Sequence, residues 1–247
     1  MRRFLQYISL VAIITLLTGC EWDDGGTRDK TRIGKYLWDL SSHDLGNVND
    51  TFDFIGCYNY LINIEDEAER EQYKSRHFGN ATITVAGNTH KITYSTYYDT
   101  LYSVTIEMTA DHWRVTRSGG NGYALTIKPS TDDHYTVDIE RLYHNESTGY
   151  GKFEVAMEYD GDMPVFEYAG KLVMIDRTAS DTLPLTITTE TIKAIHYSRL
   201  MGMKEGKISI KAYDALYDTT DTATVTILKF ERKIIVESMG TNTGYYI

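Results

Sequence analysis

From Asp50 onward the apolar residues fall three and four apart. Phe54, Ile55, Tyr58, Leu61 and Ile62 thereby form one stripe on an amphipathic helix. Asp50 is placed to cap that helix, and Asp53 puts a carboxylate near the positive end of its dipole. Past Ile64 the run Glu65 to Gln72 stays helix-forming but is charged all round, the pattern of a solvated helical face, and Gly79-Asn80 supplies the stop. At Ala81 the period changes to two. Tyr102, Val104, Ile106 and Met108 alternate with polar neighbours, as do Tyr123, Leu125 and Ile127, then Tyr135, Val137 and Ile139, then Phe153, Val155, Met157 and Tyr159. One face is apolar and the other wet, as in antiparallel sheets over a single core. Turn signals at Gly87-Asn88, Ser118 to Gly122, Asn145 to Gly149 and Asp160-Gly161 join these strands as hairpin neighbours.

The reading predicts a mainly β protein. Its architecture is an antiparallel β-sandwich or a partly open meander barrel of roughly ten to twelve strands, with one N-terminal amphipathic helix over residues 50–79 packed on it. A meander occupies 80–177. The polar segment Arg177 to Thr182 before Leu183-Pro184 is the best internal boundary. The strands of 178–247 (Leu185 to Ile195, Lys207 to Tyr213, Thr222 to Phe230 and Lys233 to Glu237) either complete the same sandwich or form a small second β domain. A faint internal echo links the two parts. Lys91-Ile92-Thr93, Tyr98-Asp99-Thr100-Leu101-Tyr102 and Val104-Thr105-Ile106 resemble Lys207-Ile208-Ser209, Tyr213-Asp214-Ala215-Leu216-Tyr217 and Val225-Thr226-Ile227, although the gaps differ.

The N-terminus carries a different signal. Met1-Arg2-Arg3 is positive, and Phe4 to Leu17 is apolar apart from Gln6, Ser9 and Thr15, the layout of a secretory leader over residues 1–19. The run is shorter than the ~20 residues a spanning helix needs. Leu17-Thr18-Gly19-Cys20 resembles the lipobox of bacterial lipoproteins. That resemblance covers only the leader and implies that Cys20 becomes the acylated first residue. Glu21-Trp22-Asp23-Asp24 is similar to the export signals that send lipoproteins of Bacteroidetes to the outside of the outer membrane. The segment 20–49 then reads as lipid attachment followed by a flexible tether, with Gly25 to Lys30 small, polar and aperiodic. The same lineage implies O-glycan acceptors at Asp99-Thr100-Leu101, Asp181-Thr182-Leu183, Asp218-Thr219-Thr220 and Asp221-Thr222-Ala223.

Composition narrows the partners. The chain has 35 Asp plus Glu against 25 Lys plus Arg and no long basic run, which disfavours nucleic acid and anionic head groups. If Cys20 carries lipid, Cys57 has no partner for an intrachain disulfide, and nothing basic beside it in sequence lowers its pKa, so it reads as a buried small apolar residue rather than a reactive thiol. No paired-histidine zinc motif, nucleophile elbow or phosphate-cradling glycine loop is present. Asp132, Asp133 and His134 with His144 and Glu146 form a polar constellation, but a strand between the two histidines holds them ~30 Å apart, too far to share a metal. No metal or cofactor is expected.

Aromatic residues offer the remaining lead. Of the 20 tyrosines and 3 tryptophans, Tyr97-Tyr98, Tyr245-Tyr246 and Trp113 beside His112 and Arg114 lie outside the cleanest apolar faces. A tyrosine or tryptophan surface suits a sugar ring or a protein partner. Trp113, however, shares its alternation with Val115, which points it to the core. Trp113, Tyr97 and Tyr98 are the candidate ligand-binding residues. The functional expectation is a lipid-anchored envelope protein on the outer membrane, facing the cell surface or the periplasm, that binds glycan or an envelope protein without catalysis. The alternative is a structural or assembly subunit that donates Lys233 to Glu237 to a neighbour's sheet edge. An unrecognised hydrolase is third.

Overall fold

The computed structural model describes residues 27–95, 101–119, 122–131, 133–144, 147–176, 185–199, 202–215, 218–228, 233–238 and 241–246. The leader with Cys20, the candidates Tyr97 and Tyr98, and the polar segment 177–184 lie outside them.

A helix, α1 (Thr27–Asn63), opens the described chain and a shorter one, α2 (Glu67–Phe78), follows. Thirteen strands come next: β1 (Thr82–Ala86), β2 (Thr89–Ser95), β3 (Leu101–Met108), β4 (Trp113–Ser118), β5 (Tyr123–Thr131), β6 (His134–His144) and β7 (Ser147–Asp160), then β8 (Met163–Asp176), β9 (Leu185–Ser198), β10 (Gly202–Asp214), β11 (Thr219–Leu228), β12 (Lys233–Ser238) and β13 (Thr241–Tyr246). They form one antiparallel sheet in which spatial order equals chain order. Every connection is therefore a hairpin. Two of the tightest, at Gly87 and Gly161, use a glycine with φ of 59° and 65°, where a Cβ would be strained. Among the described residues β1 pairs only with β2 and β13 only with β12, so the sheet is open rather than closed into a barrel.

The mainly β, antiparallel meander with helical N-terminus stands as expected; one open alternative is decided, one strand is added and two details are corrected. Asp176 pairs opposite Leu185, so the C-terminal strands extend the same sheet, the first of the two alternatives for 178–247. Beyond the expected strand Lys233 to Glu237, Thr241–Tyr246 pairs along β12 as one more strand. The expected single helix over 50–79 is two, with a break at residues 64–66. Finally, α1 begins at Thr27, where a tether to residue 49 was expected, and Asp50 lies inside it instead of capping it. Asp66 takes the capping role for α2, its Oδ1 accepting from the Glu69 N–H at 2.8 Å.

The tether reading failed because polar residues in this stretch face inward. Ser41, Asp44, Asn49, Thr51 and Asp53 are buried alongside Leu45, Val48, Phe52, Ile55, Cys57 and Tyr58, so α1 from Ser41 onward is enclosed on nearly every side. Tyr168 donates to Asn49 Oδ1 at 2.6 Å, and Thr189 to Ser41 Oγ at 3.1 Å. Phe52 meets Phe153, Phe166 and Tyr168 at ring-centroid distances of 5.5–6.0 Å. On another side Tyr58 meets His90 of β2, and Phe54 meets Tyr94. The concave face of the sheet thus curls around the helix. Register shifts in β5–β6, β6–β7, β8–β9 and β9–β10 supply the extra local twist that such curling needs.

The internal echo has a structural counterpart. In the β2–β3 hairpin Lys91 and Ile92 lie opposite Thr105 and Val104, and in the β10–β11 hairpin Lys207 and Ile208 lie opposite Thr226 and Val225. Ile92, Val104, Ile208 and Val225 are all buried on the same concave face.

Candidate functional site

An apolar cavity of about 190 Å³ lies between α1 and strands β4 to β8. Sheet register assembles it from residues far apart in sequence. Trp113, Ile127 and Val137 make one cross-strand row; Pro129, Tyr135 and Val155 make the next; Met157 opposite Phe166 makes a third. Phe52, Ile55 and Asn59, spaced three and four apart, form the helical wall. Its floor is buried, whereas Asn59, Trp113, Tyr135 and the exposed Pro129 stand at the mouth. Asn59 is held there by donating to the Tyr159 hydroxyl at 3.1 Å, which itself donates to the Gly56 carbonyl at 3.0 Å.

Of the predicted site residues, Trp113 lines this cavity, half-buried and packed against the core rather than displayed as an open platform. Tyr97 and Tyr98 are not described. Asn59, Tyr135 and Met157 carried no signal in sequence, since each looks like an ordinary member of its element.

A second group gathers on the other side of α1. Cys57 is 2% exposed, and its Sγ lies 3.9 Å from His77 Nδ1. Arg199 Nη1 approaches the same nitrogen at 3.4 Å. A guanidinium only donates, so Nδ1 accepts and the imidazole proton sits on Nε2. That nitrogen lies 3.9 Å from Asp162 Oδ2, beyond hydrogen-bond reach. Asp162 instead pairs with Arg76. Cysteine, histidine and aspartate thus come together in the order a thiol hydrolase uses, but the protons are in the wrong places. Burial, and then the Asp53 carboxylate, push the Cys57 thiol up to about 11. Burial and Arg199 hold the His77 imidazole below its usual value. The proton therefore stays on sulfur, and the thiol is packed rather than activated.

Comparison with models of protein families, with curated proteins and with solved structures finds no match in any of the three. Function is read from the chain's own residues.

Of the polar constellation around β6, Asp132 and Glu146 lie outside the described residues. His134 and His144 are the first and last residues of that strand, at opposite ends of it. Among the described residues no group of three or more His, Cys, Asp and Glu side chains is arranged to hold a metal ion.

Proposed function

We propose that this chain is a lipid-anchored envelope protein acting as a non-catalytic binding module, and that it takes the apolar part of its ligand into the cavity beside α1. The observation that carries the reading is the cavity itself, apolar in its floor and gated by Asn59, Trp113 and Tyr135. An engineered apolar cavity of about 150 Å³ holds benzene, so this slightly larger one suits a single aromatic ring or a short alkyl chain. An indole and a phenol at the mouth add apolar faces together with a donor for orientation. The ligand is therefore a small molecule, or the side chain of an envelope partner, that presents one such group. Residues outside the described chain would supply the anchor through Cys20.

The test is a titration of the full chain with the environment-sensitive dye N-phenyl-1-naphthylamine, whose phenyl ring matches the cavity and whose naphthyl group would lie at the mouth. Saturable enhancement is expected, with energy transfer from tryptophan that falls in Trp113→Phe. A dye response that is absent, or identical in that variant, would remove the basis for the proposal. Membrane fractionation tests the anchor separately: Cys20→Ala should release a folded protein.

The assembly alternative has one observation of its own, the two open edges β1 and β13. It differs from the sequence expectation, because Lys233–Ser238 is already paired on both sides and has no free edge to offer. Sedimentation of the full chain decides it, a strict monomer speaking against it.

A further inference from the structure

The hydrogen bonding at the mouth of the apolar cavity is partly settled by the protein itself. Tyr159 has two acceptors within reach of its hydroxyl proton, the Gly56 carbonyl at 3.0 Å and the Met157 sulfur at 3.8 Å. Neither can donate, so the proton goes to one of them and the Tyr159 oxygen is left to accept. The group it accepts from, 3.1 Å away, must then be the amide nitrogen of Asn59. That fixes how the Asn59 amide is turned. Its Nδ2 faces Tyr159, which is not part of the cavity wall, and its Oδ1 faces away from Tyr159.

Oδ1 accepts from no described residue and is not buried away, so it stands open at the mouth and calls for a donor. The cavities of about 310 and 200 Å³ on the other side of α1 are lined by Asp50 with Arg199 and with Arg117 respectively, whereas no charged side chain lines this one. A carboxylate or ammonium drawn into it would lose its water and meet no counter-charge. A sugar ring, with a hydroxyl on nearly every carbon, would leave most of them unmet against the apolar floor. A plain hydrocarbon would cover Oδ1 and leave it without a partner. By proportion with the benzene-sized cavity, 190 Å³ takes about eight non-hydrogen atoms, a ring and little more. Phe52, Phe166 and Trp113 favour an aromatic ring over an alkyl chain, which would also lose rotational freedom on entering.

We propose that the ligand of this cavity is an uncharged phenol, whose ring fills the apolar floor and whose hydroxyl donates to Asn59 Oδ1. The inference rests on the reading of the cavity as a ligand site, and it makes Asn59 the residue that selects among ligands of the right size.

The test is methyl NMR of the full chain, titrated separately with p-cresol, its near-isostere 4-fluorotoluene, benzylammonium and benzoate. The phenol should produce saturable shifts at Ile55, Ile127, Val137 and Val155, with an affinity roughly fivefold above that of 4-fluorotoluene, the scale of one neutral hydrogen bond. Both ions should leave these methyls unmoved. Asn59→Ala should abolish the preference for p-cresol while 4-fluorotoluene still binds. Equal affinity for p-cresol and 4-fluorotoluene, or an ion that binds as tightly as p-cresol, overturns the phenol assignment and leaves the cavity standing as an apolar site. Unmoved methyls with all the ligands overturn both readings. A preference retained in Asn59→Ala overturns Asn59 as the acceptor. If that variant does not fold, the Asn59 side-chain amide resonances of the unaltered protein decide: a shift with p-cresol and none with 4-fluorotoluene supports the assignment, and the same response to both overturns it.

Discussion

Gly56 stands where α1 passes close to β8. A Cβ built there would lie 2.7 Å from the Pro164 Cβ and 2.8 Å from the Phe166 ring. Gly56→Ala gains ~1 kcal/mol of helix propensity but overpacks a rigid proline and a buried ring, at a cost of about 1–3 kcal/mol. The expected result in urea denaturation is a net loss; a variant more stable than the wild type would mean that the helix and strand are not so closely packed. Next to it, Cys57 should alkylate slowly at neutral pH and faster as pH approaches its raised value of about 11. Rapid labelling at neutral pH would contradict a buried thiol. Asp53 and His77 titrate in opposite senses. Burial raises the Asp53 carboxyl above its usual 3.8, so its contribution to stability is complete below that value and is lost as pH rises through the raised one. Asp53→Asn should therefore stabilise the protein at neutral pH and lose that advantage in acid. His77 is lowered from its usual 6.5, so its contribution is present above 6.5 and lost as pH falls through the lowered value. Thermal melts of Asp53→Asn and His77→Gln across pH separate the effects, and an Asp53→Asn melt below wild type at neutral pH would contradict the assigned burial.

At the scale of elements, α1 is the organising piece and was the least legible one. Its apolar stripe from Phe54 was readable by spacing, but its middle hides Ser41 and Asn49, which are buried and paired with the sheet, and local sequence reports nothing about partners over a hundred residues away. Asn49 is the clearest case, because it looks like a loop residue until Tyr168 is brought to it. Tyr168→Phe leaves its Oδ1 buried and unmet, which should cost about 1–3 kcal/mol; denaturation unchanged from wild type would show that this tie adds nothing. The strands were legible because one wet face forces a period of two, and β3, β5, β6 and β7 carry their expected inward residues. The same period contained an unused clue: Trp113, Val115 and Arg117 share a face, so an arginine was already placed on the inner side of β4. Short or weakly patterned strands, β1 and β13 among them, gave no comparable signal. In β1 the burial pattern is nearly all exposed, with Val85 61% exposed.

For the whole molecule, a sheet in strict chain order with two free ends is a weak closure, and the enclosed helix supplies the common core. Each large apolar side chain that α1 buries, such as Leu45, Phe52 or Tyr58, contributes about 1.5–3 kcal/mol. The cavities on opposite sides of α1 arise because a cylindrical helix does not fill a curled sheet evenly. That unevenness has no local signature in sequence, since each wall comes from several strands. Binding in the apolar space is the central claim. The most direct test is methyl NMR of the full chain during titration with N-phenyl-1-naphthylamine. The account predicts saturable shifts concentrated on Ile55, Ile127, Val137, Val155 and Met157, with Ile208, Ile210 and Val225 unmoved. Shifts spread evenly over both sets, or absent from the first, would contradict it.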